Sequence, residues 1–403
     1  MQRAKFYFFL KRILRIGSIV CGDGEIMYLA VFLMILLFTG VSIKKHSLDK
    51  YLARITIVIL WLMLSFRYGQ GTDYFSYNYL YKFNENLSRA VNNYYNLHGE
   101  IGFRILCALL KGNFSRFIFI FSTVQMLLLY KGMVENSEKQ MLTLLLFYPT
   151  LYLTYFFSVI RQGLALALCM GFMFKYFKQK KWIKYVLVCL LASTFHMVSL
   201  IWLILPFIWR FKISILYRLV VVAAVFSVLL MITRVREVLY AIPYVGLAVK
   251  YYMQTITSSS FFALMERATM LIIVLVLWYT SPKDVQLEHR DFVKAYLLGF
   301  TLYLFFVQFP LVASRVGIVF KIFEVVLIPN LLRRRTKYKQ LIIVAIFMIS
   351  IVMYGKNIYS YMYQGKYNDK VNILNYPYVS IFEKDKLWRY RSSDIYRDLL
   401  NLD

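Results

Sequence analysis

The residues best placed to do chemistry begin in one run, Phe66-Arg67-Tyr68-Gly69-Gln70-Gly71-Thr72-Asp73-Tyr74-Phe75-Ser76-Tyr77. Gly69 and Gly71 permit a tight turn that bulkier residues resist. Arg67 and Asp73 set opposite charges within reach of that turn. Tyr74 and Tyr77 offer ring faces that stack on a sugar or anchor a loop at a membrane interface. Further on stand Glu100, Arg161-Gln162, His196 and Arg315. A guanidinium matches phosphate with a planar fork of donors, so two or three arginines around one cavity make a pyrophosphate site without a metal. Asp73 or His196 is then the base that takes a proton from a hydroxyl attacking an anomeric carbon.

Each candidate also has a structural reading. Asp73 can hold Arg67 or cap a helix from Phe75 onward. Glu100 can complement the dipole of a helix whose apolar face is Ile101, Ile105, Leu106, Leu109 and Leu110. Arg161 can snorkel to an interface, and Arg315 can pair with Glu324 or Glu266. A lone His in an apolar segment is more often a satisfied core residue than a catalyst.

The elements that must position these residues are membrane helices. The chain has 403 residues, of which 60% are hydrophobic and 17% charged. That apolar share exceeds what soluble domains carry, and its runs are long enough to cross a bilayer. The expected fold class is an all-α polytopic integral membrane protein with about 11–12 transmembrane segments. Spans are expected near 26–43, 52–66, 115–131, 141–157, 159–177, 215–232, 264–280, 292–309, 312–332 and 339–355. A basic interfacial segment, 1–25, precedes a transmembrane catalytic domain, 26–355, and a polar aromatic tail, 356–403, follows it.

Residues 182–208 are long for one span and short for two. Loop charge decides how they run. The basic connections Lys44–Arg54, Lys175–Lys184, Arg210–Arg218, Lys283–Lys294 and Arg333–Lys339 share one side only if 182–208 enters and returns. A re-entrant or broken helical hairpin with its turn near His196 is therefore expected. It places the loops 67–114 and 233–263, Arg161, His196, Arg315 and the tail together on the outer side. The same parity puts the basic N-terminus outside, against the charge rule, unless the segment Ile101–Leu110 dips into the membrane.

The net charge of +28 sits in short loops and in no separate basic domain, so nucleic acid is not the expected partner. Cys107, Cys169 and Cys189 lie in apolar segments and read as small core residues, and Cys21 lies near the first span. No metal-ligand spacing, Walker A motif, DxD pair, HExxH or GxSxG is present. No metal site or cofactor is expected. Asn86-Leu87-Ser88 and Asn113-Phe114-Ser115 match a glycosylation sequon by chance.

With these residues in view, the chain resembles the EpsG-like polysaccharide polymerases, related in role to Wzy. The run Arg67 to Tyr77 resembles the family's signature. Glu100-Ile101-Gly102, Ile160-Arg161-Gln162-Gly163-Leu164-Ala165, Phe195-His196-Met197-Val198-Ser199 and Ser314-Arg315 follow in order. The resemblance implies a metal-independent membrane glycosyltransferase of GT-C-like helical arrangement in a bacterial cytoplasmic membrane. It implies transfer of a growing glycan from undecaprenyl pyrophosphate to an incoming lipid-linked repeat unit, for capsule, exopolysaccharide or O-antigen. Membrane lipid and a chain-length regulator are the further partners it implies. Arg161 and Arg315, with Arg67 in support, would face the leaving pyrophosphate. His196 or Asp73 would be the base, and Tyr74, Tyr77, Glu100 and Gln162 would bind substrate. A flippase for the repeat unit, a glycan ligase and an O-acyltransferase are the competing readings.

Overall fold

A computed structural model describes residues 26–93, 99–232, 261–332 and 338–391, with Glu237. The segment 1–25, most of the loop 233–263, the cluster Arg333-Arg334-Arg335 and residues 392–403 lie outside the described residues. The described chain is an all-α bundle. Helix α1 spans Met27–Lys44, α2 Asp49–Ser65, α3 Tyr74–Phe83, α4 Leu87–Asn92, α5 Ile101–Leu109 and α6 Phe114–Asn136. Helix α7, Gln140–Phe147, widens into a π-helical stretch, Tyr148–Ser158. Helix α8, Ile160–Leu168, passes through a second π-helical stretch, Cys169–Met173, into α9, Phe174–Lys178. Then come α10 Trp182–Ser193, a 3-10 segment Met197–Ile204 running into α11 Leu205–Ile208, and α12 Ile213–Leu229. The remainder is α13 Phe261–Thr280, α14 Lys283–Phe305, α15 Pro310–Leu331, α16 Lys339–Gln364 and the short α17 Leu387–Tyr390.

Among the described residues, five helical runs are long and apolar enough to cross a membrane: α1, α6, α7 with its π stretch, α13 and α16. The run Gln140–Ser158 is the central rod, with 89% of its apolar window buried against 28% for α13. Peripheral helices turn leucines and valines outward: Leu37, Leu127 and Val221 are all more than half exposed. A bundle whose solvent is lipid shows this pattern, because an apolar outer face costs nothing there. Helix α16 continues past residue 355 to Gln364, because Tyr354, Ile358 and Tyr361 extend its buried stripe.

The two sequons are helix starts. Asn86 Oδ1 accepts from the Ser88 amide, and Asn113 Oδ1 accepts from the amides of Ser115 and Arg116. Short polar side chains at this position satisfy amides that have no partner within the helix. Cys107, Cys169 and Cys189 are free thiols in the core.

The hairpin at 182–208 is present. Tyr185 Oη donates to the Trp202 carbonyl at 2.6 Å, and Lys180 Nζ lies 4.0 Å from the Trp209 ring centroid. The two legs therefore run side by side and their ends meet, with residues 194–196 as the turn. Trp202 Nε1 donates to the Val319 carbonyl at 3.0 Å, which fastens the hairpin to α15.

The bundle has two chemically different ends. At one, the Asp49 carboxylate accepts from the amides of Gln140 (2.7 Å) and Met141 (3.2 Å). Asn330 bonds residues 136 and 138, and Lys139 Nζ donates to the Leu332 carbonyl. Glu135 pairs with Lys175, and Lys294 Nζ donates to the Trp209 carbonyl. The described basic connections thus share this end. At the other, Tyr28 in the first turn of α1 donates to Gln70 Oε1 at 2.9 Å. There Phe66 and Tyr68 also bond main chain to main chain with residues 379–381 of the tail. The start of α1, the Arg67–Tyr77 run and the tail therefore lie together, as the parity argument requires.

Inside the bundle, Lys321 of α15 forms a buried ion pair with Glu266 of α13. Arg267 lies 3.9 Å from the Tyr303 ring centroid, and Glu324 accepts from Tyr296 Oη at 2.9 Å. The two carboxylates named as structural partners for Arg315 are thus engaged elsewhere.

Candidate functional site

The site is built outward from Gly71. Gly69 and Gly71 have φ of +62° and +91°, the left-handed region where side chains are strained. A Cβ on Gly71 would stand 2.6 Å from the Phe157 carbonyl oxygen. Only glycine lets the loop come this close to the end of the π-helical stretch, where the Thr72 amide donates to Ser158 Oγ at 3.2 Å. Arg161 stands three residues beyond Ser158, in the first turn of α8. The approach brings α3 underneath it, so the Arg161 guanidinium lies 5.7 Å from the Tyr77 ring centroid.

Glu100 joins this pair to the hairpin. It occupies the position before α5 with an extended backbone and makes no side-chain bond to its own helix. Its carboxylate instead forms an ion pair with Arg161 Nη1. The other oxygen accepts from the Met197 amide at 3.3 Å. The reason lies two residues on. The Gly102 amide donates to the Thr194 carbonyl at 2.8 Å, and a Cβ there would meet that same oxygen at 2.8 Å. A residue without a side chain seats the start of α5 on the hairpin turn and so places Glu100 over it.

His196 follows Phe195 in that turn, outside both legs. Its Nδ1 is buried and has no hydrogen-bond partner among the described residues. Burial lowers its pKa to about 4; the Glu100 carboxylate raises it, and the charges of Arg161 and Arg315 lower it further. The ring is therefore neutral near pH 7 and has a nitrogen free to accept a proton. Arg161 Nε and Gln162 Nε2 are likewise buried without partners.

Arg315 stands exposed on α15, one turn before Val319, the residue that anchors the hairpin through Trp202. Its charge acts on His196. The structure thus gathers Glu100, Arg161, His196 and Arg315, with Tyr77 beneath and Gln162 beside Arg161 in the first turn of α8. Asp73 lies at the start of α3, where its carboxylate accepts from the Thr72 hydroxyl at 2.9 Å and forms no side-chain cap.

Arg67 and Tyr74 are placed differently. Arg67 is 1% exposed, donates to the Leu64 carbonyl and lies 4.7 Å from the Phe157 ring centroid. Tyr74 is buried edge-on among Tyr68, Phe75 and Phe114, so neither ring face is open for stacking. Tyr77 is also buried, against Phe103.

Sequence reasoning passed over Arg104. The face assigned to α5 is only partly the buried one: Leu106 and Leu110 pack against the core, but Ile101 and Leu109 are 42% and 63% exposed, and Phe103, Arg104, Cys107 and Ala108 are buried. The available signal was that Arg104 is the only charge between Ile101 and Leu110. Among the described residues, no three of His, Cys, Asp and Glu are grouped as metal ligands would be.

Fold and site together define a multi-pass membrane protein with arginine, glutamate and histidine converging at one end of its bundle. The chain belongs to the EpsG family, whose model matches residues 50–380 and so includes each of these positions. Membership suggests a role like that of a polysaccharide polymerase. No curated protein and no solved structure matches the chain.

Proposed function

We propose that the protein polymerises lipid-linked oligosaccharide repeat units on the outer face of the bacterial cytoplasmic membrane. The growing glycan leaves undecaprenyl pyrophosphate and joins the incoming lipid-linked repeat. The observation that carries this reading is the junction at Glu100, which bridges Arg161 to the turn holding His196.

In the step proposed, a hydroxyl of the incoming repeat attacks the anomeric carbon of the donor sugar. The bond from that carbon to the pyrophosphate oxygen breaks, and its electron pair stays on the leaving group. His196 Nδ1 takes the hydroxyl proton. Negative charge grows on the bridging oxygen as the bond breaks, and Arg161 and Arg315 stabilise it most at that moment. Glu100 orients Arg161, and Asp73 is the alternative base. The reaction uses a donor already activated, so it calls for no nucleotide and no metal. Placement at the bundle end opposite the basic connections supports an outward-facing site.

The test is a reaction of the purified protein with its cognate undecaprenyl-pyrophosphate repeat unit, without nucleotide or added metal. Products are separated on a gel. A ladder of repeat number is expected. A single band from folded protein and authentic substrate would move the assignment to a flippase or a ligase.

A further inference from the structure

Arg104 is 8% exposed, and its Nε and Nη1 are both buried without a hydrogen-bond partner among the described residues. A guanidinium is always charged, and leaving one unpaired inside a protein is costly. It is also not stranded on a remote face. A Cβ on Gly99 would lie 3.7 Å from Arg104 Cγ and 3.7 Å from Arg161 Nη1, so the stem of Arg104 and the guanidinium of Arg161 flank the same point of backbone. The carboxylate at that point, Glu100, is already shared between Arg161 and the Met197 amide. Glu100 is thus committed to Arg161 and forms no ion pair with Arg104. Helix α5 directs Arg104 inward while its outward face is Ile101 and Leu109, although an apolar residue would fill the inward position without any charge to satisfy. Ionisable side chains retained inside a membrane bundle mark places where a charged ligand is handled.

We infer that Arg104 is an anion-binding side chain that, with Arg161, receives a phosphate group carried on a lipid. This rests on the polymerase reading for the identity of the ligand, and the chemistry it names is an anionic phosphate ester, as a phosphodiester or a pyrophosphate. Two sources supply that group: the undecaprenyl pyrophosphate of the substrate, or the headgroup of an anionic bilayer lipid. Arg161 is held by Glu100, whereas Arg104 has donors to give at no cost in broken bonds. It therefore supplies affinity to the bound phosphate, and Arg161 supplies stabilisation as charge develops.

The experiment measures binding of undecaprenyl pyrophosphate, undecaprenyl monophosphate and undecaprenol to the full chain in phosphatidylcholine nanodiscs. It compares wild type with Arg104→Gln, Arg104→Lys and Gly99→Leu. Arg116→Gln, which removes an exposed arginine from the start of α6, controls for net charge. Arg104→Gln is expected to weaken binding of the pyrophosphate lipid by about tenfold or more and to leave undecaprenol unchanged. Arg104→Lys keeps the charge without the fork and should fall between. Gly99→Leu keeps every charge but fills the space between the two arginines, so it tests the site even where Arg104→Gln does not fold. Repeating the series in phosphatidylglycerol nanodiscs separates the sources. Loss of the Arg104 effect there, with binding of the anionic lipid itself dependent on Arg104, assigns the phosphate to the headgroup. Equal pyrophosphate binding by folded Arg104→Gln and by Gly99→Leu would overturn the inference. Arg104-dependent binding without a polymer ladder would preserve it and overturn the polymerase reading. A ladder with Arg104-independent binding would do the reverse.

Discussion

At the scale of single residues, the site is a small set of charges whose partners fix their roles. Arg161 is pinned by Glu100 and rests above Tyr77, so its position is fixed rather than free to snorkel. Arg161→Ala should lower turnover by about 100-fold or more at matched protein level, the loss seen when a preorganised charge-stabilising donor is removed. Normal polymer from that variant in cells would remove Arg161 from the mechanism. His196 gives a test with a sign. Its pKa is lowered to about 4, chiefly by burial, so it is neutral and basic above that pH and protonated below it. With His196 as the base, kcat/KM should fall as pH drops through about 4. Arg315→Gln removes a cation that disfavours protonation and should move that limb to higher pH. Glu100→Gln removes the anion that favours it and should move the limb lower. A limb that stays in place in both variants, or that persists in His196→Gln, would transfer the base to Asp73.

At the scale of elements, close approach and buried charge hold the site in shape. Gly102 lets α5 rest on the hairpin turn, and this contact aligns Glu100 with the Met197 amide. Gly102→Val forces a branched side chain against Thr194, and crowding of that kind costs about 1–3 kcal/mol. Both thermal stability in detergent and turnover should drop, and unchanged values would mean that α5 docks by other contacts. The buried Lys321–Glu266 pair ties α15, which carries Arg315, to α13. Lys321→Met leaves Glu266 buried and unpaired, a loss of about 3–5 kcal/mol where one member of such a pair is removed. A Lys321→Met/Glu266→Leu double variant should recover much of it, and thermal unfolding of the three variants checks the expected non-additivity.

At the scale of the whole molecule, the two bundle ends predict a topology. Cysteines introduced at Thr72 and Asn375 should react with a membrane-impermeant maleimide in intact cells. Cysteines at Lys45 and Lys283 should react only after permeabilisation, and the opposite pattern would invert the bundle and the site with it. Most of the architecture was legible in the chain because a bilayer imposes a length on its helices and a charge on its loops. Apolar runs located most of the helices to within a turn or two, though α14 starts at Lys283 rather than 292 and α16 ends at Gln364 rather than 355, and loop charge alone required the hairpin whose legs meet through Tyr185 and Trp202. The motif glycines announced a strained turn, and both have positive φ. Which face of a helix is inside was not legible for α5: Ile101 and Leu109 of the expected apolar stripe are exposed, and Arg104 is buried with Phe103 and Cys107. Nor could spacing tell Arg161, held at the site, from Arg67, stacked on Phe157 in the core. Both are arginines beside aromatic and small residues. Only the packing of distant segments through Gly71 and Gly102 decided which of them joins Glu100 at the hairpin turn.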